Sequence, residues 1–122
     1  PTAAVLVVDD DERNAFAAVQ ALEGLGHELV VARSGEEALR HLLHREFAVI
    51  LLDLHMPGMD GYETAGLIRA RKKNSSTPIV FLTALVKKQE VVTSGGDIGG
   101  YPYIAKPIEP EKIIEVIEHH TS

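Results

Sequence analysis

The sequence predicts an α/β fold: a doubly wound, five-stranded parallel sheet in the order 2-1-3-4-5, flanked by five helices. Three observations carry this reading. Short apolar, β-branched runs alternate with segments whose apolar residues recur at helical spacing. The strand runs are apolar throughout rather than alternating, as in strands covered by helices on both faces. Right-handed crossovers then make a doubly wound sheet the economical connection. At 122 residues, the span 1–122 reads as one domain.

The elements follow in order. Ala4–Val8 is the first strand candidate. Arg13–Leu25 carries Ala15, Ala18, Leu22 and Leu25 at helical spacing, and Gly26 stops that helix. Leu29–Ala32 is the second strand. Ser34-Gly35-Glu36-Glu37 has the pattern of a capping box, opening a helix whose inner face is Ala38, Leu39, Leu42 and Leu43. Ala48–Leu52 is the third strand and Tyr62–Lys72 the third helix. Residues 74–78, Asn-Ser-Ser-Thr-Pro, form a loop before the fourth strand, Ile79–Leu82. Lys87–Thr93 is a weak fourth helix. Tyr103–Ala105 is the fifth strand. Pro110 opens the last helix at a first-turn position, with Ile113, Ile114 and Ile117 inward.

Composition narrows the function. Apolar residues make up 45% of the chain and there is no Trp, so the core is aliphatic. The net charge of −6 argues against a broad nucleic-acid or anionic-membrane surface. With no Cys there is no disulfide framework and no thiolate chemistry, which suits the cytoplasm. No apolar run approaches the roughly 20 residues needed to span a bilayer, and no signal peptide is visible. The chain starts at Pro1 rather than Met, as a domain cut from a longer protein would.

The polar residues fall where an open α/β sheet places its ligands, at the carboxyl ends of the strands. Asp9 and Asp10 follow the first strand, Asp53 the third, Thr83 the fourth and Lys106 the fifth. In the order 2-1-3-4-5 the first and third strands are neighbours, so three carboxylates crowd one crevice. Such like charges repel unless a cation intervenes. A hard divalent cation such as Mg²⁺, or Mn²⁺, suits oxygen ligands. Lys106 adds an ammonium and Thr83 a hydroxyl donor. Together they make a site for a phosphoryl group, with Asp53 as the nucleophile that takes it. The Pro57-Gly58-Met59-Asp60-Gly61 stretch lets the backbone turn after Asp53, leaving the His55 carbonyl free to face a metal.

The chain resembles a response-regulator receiver domain of two-component signalling. "VLVVDDDERN" resembles the acidic pair, "LLDLHMPGMDGYE" the phosphoacceptor segment, "IVFLTAL" the Thr strand and "YIAKPI" the Lys-Pro ending. The resemblance implies the flavodoxin-like receiver fold with Asp53 as phosphoacceptor. It implies Asp10, Asp53 and the His55 carbonyl as Mg²⁺ ligands, with Asp9 acting through water. Lys106, Thr83 and Ala84 would meet the phosphoryl group, and Tyr103 would be the switch aromatic. The Lys106–Pro107 bond is a cis candidate. His55 and Leu85 would tune the phosphoryl lifetime. The donor would be a histidine kinase or histidine phosphotransfer protein. A downstream effector would read the face made by the fourth helix, fifth strand and fifth helix, by binding rather than turnover. The domain would not be an enzyme in its own right, though it would assist its own phosphorylation and dephosphorylation. No contact with nucleic acid or membrane is implied. The phosphoacceptor segment and the non-Met start suit a receiver of a hybrid histidine kinase, the cytoplasmic part of a membrane-bound protein.

Plainer readings stand beside these. Asp10 or Asp11 could cap the first helix. Lys106 could be a surface residue, Thr83 an ordinary strand residue and Tyr103 plain core. His27, His41, His44, His119 and His120 read as solvated, without a convincing metal spacing. Arg69, Arg71, Lys72 and Lys73 suit a helix C-terminus. The segment "TSGGDIGGYPYIAKP" departs from the family pattern: Gly95, Gly96, Gly99 and Gly100 would make the fourth helix short or irregular. Three rivals remain. A haloacid-dehalogenase-type phosphatase would use Asp9 as nucleophile, but Glu12 is out of pattern and Asp53 goes unexplained. A flavodoxin-like FMN carrier would need a phosphate loop where three Asp stand. A binding-only pseudo-receiver would not need the intact Asp10, Asp53, Thr83 and Lys106 set.

Overall fold

The computed structural model describes residues 3–84 and 100–121. In chain order the elements are β1 (Ala4–Val8), α1 (Glu12–Leu22), β2 (Glu28–Ala32), α2 (Gly35–His44), β3 (Val49–Asp53), α3 (Gly61–Ala70), β4 (Ile79–Thr83), β5 (Tyr103–Ala105) and α4 (Pro110–Thr121). All five strands are parallel, in the order β2-β1-β3-β4-β5. Four of the five expected helices lie among the described residues. The candidate Lys87–Thr93 lies outside them, as do Gly95, Gly96, Gly99 and Leu85.

Both faces of the sheet are covered. On one face Leu6, Val8, Ile50, Leu52 and Phe81 pack against Ala38 and Leu42 of α2 and Ala65 and Ile68 of α3. On the other, Val5, Val7, Val49, Leu51, Val80 and Leu82 pack against Ala18 and Leu22 of α1 and Ile113 and Ile117 of α4. Every residue of β3 and β4 is buried, which is why their sequences lack polar alternation.

Three of the helices open on a side-chain cap, and the first also closes on a glycine. Asp11 caps α1, accepting from the Arg13 amide. The helix tightens into a 3₁₀ turn, Glu23–Leu25, and stops at Gly26, whose φ of 81° is the left-handed stop that glycine tolerates. Ser34 caps α2 by accepting from the Glu37 amide, while the Glu37 carboxylate reaches back one residue beyond the cap to accept from the Arg33 amide, a variant of the expected capping box. Asp60 caps α3, accepting from Glu63.

The expected boundaries shift in instructive ways. Leu43 points outward and is 59% exposed, because it lies about 100° around the helix from Leu42 and falls off the buried Gly35–Ala38–Leu42 stripe. Leu39 only flanks the core. α3 ends at Ala70 and continues as a 3₁₀ turn, Lys72–Asn74. Asp53 and Thr83 are not the residues after their strands but the last ladder residues, paired with Leu82 and Ala105.

Gly61, the first residue of α3, abuts the end of β3. Its amide donates to the Leu54 carbonyl at 2.9 Å, and an added Cβ would collide with the Asp53 carbonyl oxygen and come within 2.7 Å of Leu54 Cα. Both obstacles are backbone and cannot rotate away. Gly61→Ala is therefore expected to destabilise the fold by about 1–3 kcal/mol. Gly66→Ala, mid-helix with open space around it, is expected to stabilise by up to about 1 kcal/mol. Urea unfolding of both variants checks this; equal midpoints would show that α3 is free to move away from β3.

Candidate functional site

The carboxyl ends of β1, β3, β4 and β5 converge on one crevice, and each functional side chain is set by a backbone bond of the ladder. The Asp9 amide donates to the Ala32 carbonyl at 3.0 Å, extending the β1–β2 pairing by one residue. The Lys106 amide donates to the Thr83 carbonyl at 2.9 Å, extending the β4–β5 pairing in the same way. Asp53 needs no extension, since it ends the central strand itself.

Asp9 is fully buried and Asp53 is 2% exposed. The Lys106 ammonium bridges them, 2.9 Å from Asp9 Oδ2 and 3.1 Å from Asp53 Oδ1. Main-chain donors add to this: the Asp11 amide reaches Asp9 Oδ1 at 2.9 Å, and the His55 amide reaches Asp53 Oδ1 at 3.3 Å. Asp9 Oδ2 is buried and makes no aligned hydrogen bond, so the ammonium is its electrostatic partner. Asp10 is partly exposed. One oxygen from each of Asp9, Asp10 and Asp53 lies within 4.8 Å of the others, the group among the described residues able to hold a metal ion.

The electrostatics follow from that crowding. Burial, and secondarily the neighbouring Asp9 charge, push Asp53 up to about 6, against the opposing pull of Lys106 and the His55 amide. Burial alone would lower the Lys106 ammonium, but its close pairing with Asp9 and Asp53 outweighs this and holds it above the usual lysine value. Lys106 thus stays protonated. Three carboxylates thus face one ammonium. A convergent set of carboxylate oxygens outnumbering the cationic partner fits a hard divalent cation such as Mg²⁺.

Asp10, Asp11, Asn14, Asp53, His55, Ala84 and Lys106 line the crevice, whose volume is ≈ 300 Å³. Asp9 lies beneath this lining. Thr83 is buried at the end of β4, one residue before the exposed, crevice-lining Ala84. The Lys106–Pro107 peptide is cis. Tyr103 pairs with Phe81 in the ladder and is half-buried against the α2–α3 core.

Some expected residues fall elsewhere. The cap of α1 is Asp11, which leaves Asp10 free for the crevice. His27 accepts from the Ala3 amide, and His41 sits 3.6 Å from Glu37. Arg69 leaves the basic run to cover the Tyr101 ring at 5.4 Å, and Tyr101 in turn meets Phe81 edge-on at 5.2 Å. Two crevice neighbours were not singled out from sequence. Asn14 stands three residues past the Asp11 cap, a helical spacing that could have marked it. Arg33 donates to the Asp10 carbonyl at 3.0 Å across 23 residues, and no local pattern signals such a contact.

Comparison with known proteins agrees with this geometry. The family model described as the response regulator receiver domain matches residues 5–118. The transcriptional regulatory protein YkoG of Bacillus subtilis is 36% identical over 110 residues, covering 90% of this chain and 47% of that protein. The sensor protein GacS of Pseudomonas syringae is 35% identical over 119 residues, covering 93% of this chain and 13% of that protein. The chain thus spans less than half the length of these curated relatives. Among solved structures, chemotaxis protein CheY4 of Vibrio cholerae superposes with a TM-score of 0.86 at 28% identity, covering 98% of each chain. The signal receiver domain of a histidine kinase from Syntrophus aciditrophicus gives 0.83 at 27% identity, covering 98% of this chain and 89% of that one. With a parallel sheet covered by helices on both faces, an acidic crevice at its carboxyl edge and a family match over nearly its whole length, the chain belongs to the response-regulator receiver domains of two-component signal transduction.

Proposed function

We propose that the domain accepts a phosphoryl group on Asp53 from a phosphohistidine of a cytoplasmic histidine kinase or phosphotransfer protein. The observation that carries this is the Asp53 carboxylate, fixed at the end of a buried strand and open to the crevice, with the Lys106 ammonium 3.1 Å away. Asp53 attacks phosphorus, the P–N bond to the donor imidazole breaks, and its electron pair stays on that ring. Asp10, Asp53 and the His55 carbonyl would hold Mg²⁺, with Asp9 acting through water. When bound, the cation neutralises the transferring oxygens.

The chain's own groups do the rest. Lys106 holds a phosphoryl oxygen and follows the new charge away from Asp53. Thr83 and Ala84, at the end of β4, supply the hydroxyl and amide side of the pocket. The dianion on Asp53 redistributes the ion pairs of Lys106, and β5 with Tyr103 and α4 responds as a shift between two states. A downstream effector reads that face. His55, two residues past the acceptor, borders the reacting group and sets how readily water reaches it.

Intact-mass analysis with Mg²⁺ and acetyl phosphate tests the acceptor. One acid-stable, base-labile phosphoryl adduct is expected, lost in Asp53→Asn and at least partly retained in Asp9→Asn. An adduct that survives Asp53→Asn and vanishes in Asp9→Asn would make Asp9 the nucleophile and the domain a phosphatase.

The raised Asp53 pKa also makes a stability statement. A carboxyl that titrates near 6 in the fold and near 3.8 when unfolded binds more protons folded than unfolded between those values. Stability of the metal-free domain therefore falls as pH rises from about 4 to about 6. Asp53→Asn should stabilise the metal-free domain at pH 7.5 by about 1–3 kcal/mol, with the gain shrinking toward pH 4. Mg²⁺ should raise the unfolding midpoint of the wild type and have much less effect on the variant. Thermal unfolding with and without Mg²⁺ checks both; a variant less stable than wild type at pH 7.5 would show that the Lys106 pairing outweighs the cost of burial.

A further inference from the structure

The Asp10 side of the crevice is tied to a turn on which the phosphoryl chemistry makes no claim. Arg33 lies between β2 and α2, and its guanidinium donates to the main-chain carbonyl of Asp10 at 3.0 Å. That carbonyl belongs to the β1–α1 loop, ahead of the Asp11 cap. The turn carrying Arg33 is itself fixed. The Arg33 amide donates to Glu37 Oε1 at 3.0 Å, and Ser34 Oγ accepts from the Glu37 amide at 3.0 Å. Gly35 is approached so closely from the β3–α3 side that an added Cβ would press on Thr64 Oγ1 and lie 2.8 Å from Met59 Sδ. Met59 follows His55 in the loop after Asp53. One capped turn therefore touches both loops that carry the acidic site.

We propose that Arg33 is a positioning residue for the cation site, acting through the Asp10 main chain rather than by touching the cation. The proposal rests on the reading of this crevice as a Mg²⁺ site. Tether and charge pull in opposite directions: the hydrogen bond orders the Asp10 loop and favours cation binding, while the positive guanidinium opposes it. The contact is exposed, so screening weakens the charge more than the alignment.

Isothermal titration of the metal alone into the whole domain separates the two. Arg33→Met removes both tether and charge and is expected to weaken Mg²⁺ binding about three- to tenfold, the scale of one hydrogen bond. Arg33→Lys keeps a donor and the charge and is expected to stay within about twofold of wild type. Arg40→Ala removes an exposed arginine from α2 and is expected to leave the affinity unchanged. Unchanged or tighter binding in Arg33→Met overturns the proposal, and so does an equal loss in Arg40→Ala.

A second readout needs no metal. The Asp11 amide, bonded to Asp9 Oδ1, should exchange faster in Arg33→Met, while core amides of β3 and the unfolding midpoint stay as in wild type. If the wild type itself takes up no Mg²⁺, the cation reading fails and the Asp11 amide alone decides: faster local exchange upholds the tether, unchanged exchange overturns it.

Discussion

Two buried carboxylates held by one ammonium are the constraint on which the rest of the architecture depends. An ionised carboxylate taken out of water costs several kcal/mol unless it is paired and hydrogen-bonded. Asp9 and Asp53 are both almost fully buried, and both are paired with Lys106. That pairing is incomplete by design of the geometry, because one cation cannot neutralise two anions and Asp10 adds a third nearby. The site is thus held together without being electrically satisfied. Its three carboxylates, outnumbering the one ammonium, form a group that could hold a metal ion.

The sheet makes this tolerable. β1 and β3 lie side by side in its centre, and their two carboxylates are delivered by strands with fully apolar bodies. Covering both faces with helices removes water from the strand bodies, and the acidic crevice opens at their carboxyl edge. The close seating of Gly61 against Asp53 and Leu54 continues the same logic. The loop after Asp53 turns sharply because α3 starts hard against the strand end.

Much of this was legible in the residues. Apolar runs without alternation announced strands covered on both sides, and Asp9, Asp10, Asp53, Thr83 and Lys106 stood at their ends. Those signals are local, set by period and by punctuation. What escaped is non-local or depends on exact length. Leu43 has the right spacing for an inner face, yet it sits about 100° past Leu42 and only the packing of α2 on the sheet decides which of the two is buried. The division of labour between Asp10 and Asp11 turns on one residue of helix phase. The Arg33–Asp10 bond and the Arg69–Tyr101–Phe81 stack join distant segments, and no periodicity encodes them.

The two partners of the central ion pair stand on unequal footings. Asp53 ends a five-residue strand bonded on both sides, in the middle of the sheet. Lys106 follows a strand of three residues that is bonded on one side only, at the sheet's edge. Opening free energies scale with such anchoring, being highest in core strands and low at short edges. The acidic half of the crevice therefore behaves as a stiff anvil and the basic half as a compliant spring. A displacement within the crevice therefore meets less resistance on the β5 side than on the β3 side.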